Sequence, residues 1–286
     1  MSNTGQVKNK YYVCFDSQPK LFDLKLRETW KYRELIWLFT RKNLVRRYKQ
    51  TILGPLWLIL TPLLTSIMYT IIFGTVAGID TAGMPKILFY LVGNGLWAFF
   101  ADVFTRCSET FSSNARIFGK VYFPRLTVPF SNILLSAVEF LVQFLMVICL
   151  CLWYSAHGMS IPYMSWLVIP LILVWIGILG MGLGIIVSSL TTKYRDLRFL
   201  VNFGIRLWMY GTPVVYPLST IAEGTLKKCI MLNPVTAPIE LFRKAVLGVG
   251  GIPDVYIVIS LVFTLVSLLG GILIFNRIER NFMDTI

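Results

Sequence analysis

The chain has 286 residues, of which 56% are hydrophobic and 14% charged, and its formal net charge is +13. Soluble domains carry about 25% charged residues, so this deficit, with a mean hydropathy of +0.69, excludes an ordinary soluble globule. A single histidine, His157, excludes an imidazole relay or a His-based zinc site, and no phosphate-binding loop ending in Gly-Lys-Ser/Thr is present to hold ATP.

The first 50 residues hold no apolar core of the kind a signal peptide needs, so no cleavage is expected. Cys14, Cys107, Cys149, Cys151 and Cys229 are odd in number and scattered, and read as packing residues rather than a disulfide framework. Charges interrupt Lys25–Lys49 every few residues, so this segment is not a membrane span. At helical pitch Leu26, Trp30, Trp37, Leu44 and Tyr48 fall on one face, with Lys42, Arg46 and Lys49 largely opposite. That predicts an amphipathic helix in the membrane interface, with Trp30, Trp37 and Tyr48 at headgroup depth and Arg41 and Arg47 among its interface residues. Leu35 and Phe39 lie outside the stripe and mark a second contact surface, for which a partner protein is one reading.

Beyond this cytoplasmic 1–50 segment, residues 51–286 form the transmembrane domain. An α-helix rises about 1.5 Å per residue, and about 20 apolar residues cross a bilayer core of about 30 Å. Uncharged windows place six spans, at about 54–77, 87–104, 126–153, 163–190, 199–216 and 255–275. With the N-terminus inside, 22 of the 27 Lys and Arg residues fall on the inner face, leaving Lys86, Lys227, Lys228, Arg243 and Lys244 outside. This asymmetry sets both termini in the cytoplasm and accounts for most of the net charge, so no nucleic-acid role is expected. Residues 211–254, between the fifth and sixth spans, are too proline-broken for another span and too apolar for a free loop. Val235, Ile239, Phe242 and Val246 share one face there, with Glu240, Arg243 and Lys244 away from it. A short re-entrant or interfacial helix roofing a cavity is predicted.

Glu139 falls at the midpoint of the third span, and no second carboxylate is evident at its depth. A charge there costs at least about 2.5 kcal/mol unless it faces protein or water. Structural hydrogen bonding, a substrate-facing polar site and proton coupling all stay open for it. Arg206, seven residues into the fifth span, either snorkels to the interface or meets an anionic group in a cavity. Tyr69, Trp97, Phe100, Phe104, Trp208 and Tyr210 lie well inside the spans and suit a path for sugar rings, with packing as the alternative. Gly177, Gly180 and Gly184 fall close together on the fourth span and suggest close helix packing. The loop from Asn114 to Arg125 crowds basic and aromatic residues into twelve positions, which fits a short helix against a soluble partner.

Five segments together resemble the permease subunits of ABC exporters for bacterial surface polysaccharides such as O-antigen, capsule and teichoic acid. They are Arg47 through Gly54 with Pro55 and Trp57, Asn114 through Arg125, Tyr194 through Leu197, Thr212 through Pro217, and Leu232 through Pro234. The resemblance implies an all-α membrane protein of six transmembrane helices, N-in and C-in, working as a homodimer with two copies of a separate ABC ATPase that binds ATP and Mg. It implies an ATPase-coupling helix at Asn114, Arg116, Ile117, Phe118, Lys120, Tyr122, Phe123 and Arg125, assisted by Tyr194, Arg195 and Asp196. It further implies an outer gate of re-entrant helices at Pro213, Tyr216, Pro217, Asn233, Pro234, Ile239 and Phe242. The expected cargo is a lipid-linked polysaccharide crossing a bacterial cytoplasmic membrane. An ABC exporter of drugs or small lipids and a proton-coupled flippase are the competing readings, and a membrane-embedded transferase would need acidic or His-based machinery absent from this chain.

Overall fold

The computed structural model describes residues 26–49, 52–118, 120–121, 123–193 and 196–283, and every regular element among them is helical. In order these are α1 (Leu26–Lys31), α2 (Arg33–Tyr48), α3 (Trp57–Tyr69), α4 (Lys86–Ser108), α5 (Thr110–Phe118), α6 (Thr127–Ala156), α7 (Ile169–Lys193), α8 (Leu197–Tyr210), α9 (Thr225–Leu232), α10 (Thr236–Leu247) and α11 (Asp254–Met283). A 3-10 turn, Gly54–Leu56, leads into α3, which runs on as a π-helical turn over Thr70–Val76.

Among the described residues, five helical stretches are long and apolar enough to cross a membrane: Gly54–Val76, Lys86–Ser108, Thr127–Ala156, Tyr163–Thr191 and Asp254–Arg277. They correspond to five of the six predicted spans. The predicted span at 199–216 is instead the 14-residue α8, about 21 Å long and short of a bilayer core. It stops at Gly211, before Thr212 and Pro213. A proline lacks the amide hydrogen a continuing helix needs and disfavours helical geometry in the residue before it.

Helix α7 is the centre of the bundle, between α4 and α11, and glycines let it approach both. A Cβ at Gly184 would lie 2.6 Å from Cys107 Cβ and 2.7 Å from the Phe104 carbonyl of α4, and one at Gly180 only 3.1 Å from Val103. On its other side Gly182 meets the α11 backbone, where a Cβ would lie 2.8 Å from Leu268 N. Trp175 donates from Nε1 to Thr264 Oγ1 at 3.1 Å, and Thr191 donates to the Ser108 carbonyl at 3.0 Å. The α4 core is correspondingly sealed: 78% of its most apolar window is buried, against 11% for α3, which stands at the edge of the bundle.

Helix α2 packs along α6. Thr40 is buried and hydrogen-bonds to the Ser131 carbonyl at 3.3 Å, and the Phe39 ring lies 5.6 Å from that of Phe123. The second contact surface at Leu35 and Phe39 is therefore met by this chain's own core, while Trp30 and Trp37 stay exposed. The bundle thus has two ends, one carrying α2 and α5, the other carrying α9 and α10.

Candidate functional site

At the α5 end, Glu139 of α6 gathers cations from two other helices. Arg47 of α2 donates from Nη1 to both carboxylate oxygens, at 3.0 and 3.2 Å, and Arg106 of α4 donates to Oε2 at 2.6 Å. Asp102, one turn before Arg106, lies 3.8 Å from the same guanidinium, so a second carboxylate does share this depth. Its position one helical turn from Arg106 is the signal that points to it in the sequence. Glu139 is 8% exposed and Arg47 48%, so the cluster is closed on one side and open on the other. A cavity of about 260 Å³ between α3, α4 and α6 lies against it.

The predicted path aromatics converge on α8. Trp97, Phe100 and Phe104 of α4 are buried, and their ring centroids lie 5.4 to 6.4 Å from Trp208. Edge-to-face pairs of this kind add about 0.5–1.5 kcal/mol each beyond burial. Within one copy of the chain these rings pack against one another. Tyr69 joins a neighbouring set with Phe73 and Tyr90, its hydroxyl 3.3 Å from Met209 Sδ. Arg206 and Tyr210 are exposed on the open face of α8, beside Phe199, Phe203 and Leu207.

The α10 end is tied by Asn233 and Arg243. Trp208 Nε1 donates to Asn233 Oδ1 at 3.2 Å, and Asn233 Nδ2 donates to the Gly211 carbonyl at 3.1 Å and to Thr212 Oγ1 at 2.8 Å. This joins the end of α8 to the turn before α10. Val235, Ile239, Phe242 and Val246 are buried, as the apolar face predicted. Glu240 and Arg243 are buried completely as well, contrary to the expectation that they point away. Arg243 pairs with Glu240 across one helical turn, donates from Nη2 to the Pro213 and Val214 carbonyls, and lies 4.3 Å above the Phe89 ring. Glu240 also accepts from Gly251 N at 3.2 Å. Lys244 is exposed as expected, but the side of α10 that carries Glu240 and Arg243 meets protein too. The i, i+3 spacing of the opposite charges was the available signal.

Of the other predicted gate residues, Pro213 and Pro217 are buried, Tyr216 donates to the Tyr210 carbonyl at 3.0 Å, and Ser260 of α11 donates to the Pro234 carbonyl at 2.5 Å. A cavity of about 570 Å³ lies under this end, lined by Phe89, Pro217, Glu223, Lys227 and Arg243 among others.

The loop after α4 forms α5, in which Asn114 donates to the Thr110 carbonyl at 2.9 Å. Phe118 and Phe123, expected at an exposed surface, are buried at 6% and 5% exposure. Phe123 lies 5.7 Å from Phe118, Phe118 6.2 Å from Phe111, and Phe111 4.5 Å from Phe275 of α11. The Arg125 guanidinium covers Phe118 at 5.3 Å, Ile117 packs on the same core, and Lys120 and Val121 stay exposed. Asp196 caps α8 by accepting from Leu197 N at 3.1 Å. Tyr122, Tyr194 and Arg195 lie outside the described residues, as do the side chains of Tyr48 and Arg116.

Three relatives extend along nearly the whole chain. Two O-antigen export system permease proteins RfbA of Klebsiella pneumoniae are 34% and 32% identical, each match covering 88% of this chain and 94% of the relative. The RfbA permease of Myxococcus xanthus is 26% identical, over 91% of this chain and 98% of its own length. The model of the family described as "ABC-2 type transporter" matches residues 34–247, which reach from α2 to the end of α10. With four of the five long apolar stretches, the buried Glu139 cluster and the Arg243 site inside that range, the chain belongs to the ABC-2 type transporter family.

Proposed function

We propose that this chain is the transmembrane subunit of an ATP-driven exporter that moves a lipid-linked polysaccharide, of the O-antigen type, across a bacterial cytoplasmic membrane. The similarity to O-antigen export permeases over almost their entire length is the observation that carries this reading. Two copies form the conduit, six segments per copy reach into the membrane with both termini cytoplasmic, and α8 together with α9 and α10 makes the sixth segment and its outer gate. ATP and Mg are bound by two copies of a separate ABC ATPase, since this chain has no phosphate loop.

The chemistry supports a conduit. Each sugar hydroxyl entering hydrocarbon without a partner costs several kcal/mol, so a polysaccharide crosses only along polar or aromatic walls. The exposed face of α8, with Tyr210 and the neighbouring Trp208 cluster, is the wall we assign to that path. The ATPase sits against α5 and the exposed residues around Lys120 and Val121. The Phe111–Phe118–Phe123–Phe39 ring series then connects α5 to α11 at one end and to α2 at the other. ATP binding shifts the conduit only if the ATPase contacts differ between closed and open states.

Phe123→Ala, alone or with Tyr122→Ala, is expected to leave the chain inserted and bound to its ATPase but to uncouple ATP hydrolysis from glycan export. Normal export by the double variant contradicts the coupling role. The function itself is tested by deleting the gene, following surface glycan, and restoring it with the wild-type chain. Unchanged surface glycan in the deletion strain contradicts the proposal.

A further inference from the structure

Helix α8 carries one charge that the fold leaves unanswered. Phe199, Asn202, Phe203, Arg206 and Tyr210 recur at three- and four-residue steps and are exposed along one side, while Ile205 and Met209 turn into the core. Arg206 lies deep. Trp208, two residues on, sets its ring 6.4 Å from that of Trp97, the middle residue of α4, and 5.4 Å from that of Phe100. Helix rise places Arg206 only about 3 Å along the axis from that level. Arg106 of α4 is answered by Glu139, and Arg243 of α10 by Glu240. Among the described residues Arg206 makes neither a hydrogen bond nor an ion pair. A guanidinium keeps its charge, and at bilayer depth it needs water, protein acceptors or an anion around it.

A second copy of the chain brings no free carboxylate to that depth. Across the five membrane-length stretches the carboxylates are Asp102, Glu139 and Asp254. The first two share the cluster with Arg47 and Arg106, and Asp254 is the first residue of α11. Glu240 of α10 is enclosed with Arg243. The anion for Arg206 is therefore sought in a ligand. Asn202 one turn before and Tyr210 one turn after can each donate a hydrogen bond beside the guanidinium fork. Several donors on one stripe suit an oxyanion, and the anionic groups that amphiphiles bring to a bilayer are chiefly phosphates. Phe199 and Phe203 border the stripe with apolar surface for the attached chain.

We infer that Arg206 binds the phosphate or pyrophosphate of an amphiphile on the exposed face of α8, with Asn202 and Tyr210 donating beside it. The pyrophosphate of a lipid-linked glycan and the phosphodiester of a membrane phospholipid share this chemistry; the first source rests on the function proposed above.

The full chain with its ATPase is purified in dodecyl maltoside, whose headgroup has no phosphate, and equilibrium binding of tritiated geranylgeranyl pyrophosphate is measured. The wild-type chain is expected to bind it, and geranylgeraniol is expected not to compete. Arg206→Ala weakens binding about tenfold or more, the effect of a lost charge-assisted hydrogen bond. Arg206→Lys restores part of it, keeping the charge without the fork. Arg206→Ala has no polar partner to lose and keeps the melting temperature. If it fails to fold, Arg206→Gln, closer in size, is read in the same way. Competition by dioleoyl phosphatidic acid assigns the site to membrane phospholipid, and its absence assigns it to the pyrophosphate carrier. Binding unchanged in the alanine and glutamine variants, or competed by geranylgeraniol, overturns the site. Dissociation of a two-copy form by Arg206→Ala, with probe binding intact, overturns it too and assigns Arg206 to a contact between copies. If the wild-type chain restores surface glycan to a deletion strain while the variants bind normally, the site is wrong and the function stands. If binding needs Arg206 but the deletion strain keeps its surface glycan, the phosphate site stands and the function is wrong.

Discussion

Glu139 and Arg243 are both buried charges, but the two ends of the molecule hold them differently. Arg243 is fully buried: its carboxylate partner is one turn away on the same helix, two backbone carbonyls accept from its Nη2, and the Phe89 ring covers it. Glu139 draws its partners from α2 and α4, and one of them, Arg47, is half exposed beside a cavity. A buried ion pair tied to backbone is a fixed strut, because breaking it strands a charge among protein atoms. An open cluster exchanges a partner for water at much lower cost. The Arg243 pair thus ties α10 to the turn after α8, whereas the Glu139 cluster joins three helices through one half-exposed partner.

Substitutions that remove one partner at each end test this contrast. Arg243→Met is expected to have the largest effect, about 3–5 kcal/mol of stability, because Glu240 stays buried without its cation. Thermal unfolding in detergent measures it, and the double variant Arg243→Met with Glu240→Leu is expected to recover most of the loss. Glu139→Gln is expected to cost about 2 kcal/mol, since Arg106 keeps Asp102 nearby and Arg47 keeps water. A loss as large as that of Arg243→Met erases the distinction between the ends. Glu139→Gln that inserts and exports normally also removes proton coupling from consideration. Arg47→Ala is expected to cost about 1 kcal/mol or less in the same melt, as for ion pairs with an exposed member, while raising protease access to α2. Should it match Glu139→Gln, the cluster is as closed as the Arg243 site.

The span predictions rested on local quantities. Tyr163–Thr191 and Asp254–Arg277 were legible because length and hydropathy are properties of one segment. The glycines of α7 were legible because spacing alone brings Gly180 and Gly184 to one face. Residues 199–216 misled because the window is uncharged except for Arg206, while Pro213 and the Asn233 contacts end the helix early. Phe118 and Phe123 were read as exposed because their partners, Phe39, Phe111 and Phe275, are scattered along the chain.

By itself the sequence determined that this chain lives in a membrane and roughly where five of its helices cross. Each follows from helix rise, bilayer thickness and the cost of moving charge, none of which requires knowing a neighbour. The tertiary structure alone decided that Glu139 answers an arginine 92 positions away, and that Arg243 turns inward. A side chain's partner is set by which helices pack together, and that packing is a property of the whole bundle rather than of any one segment.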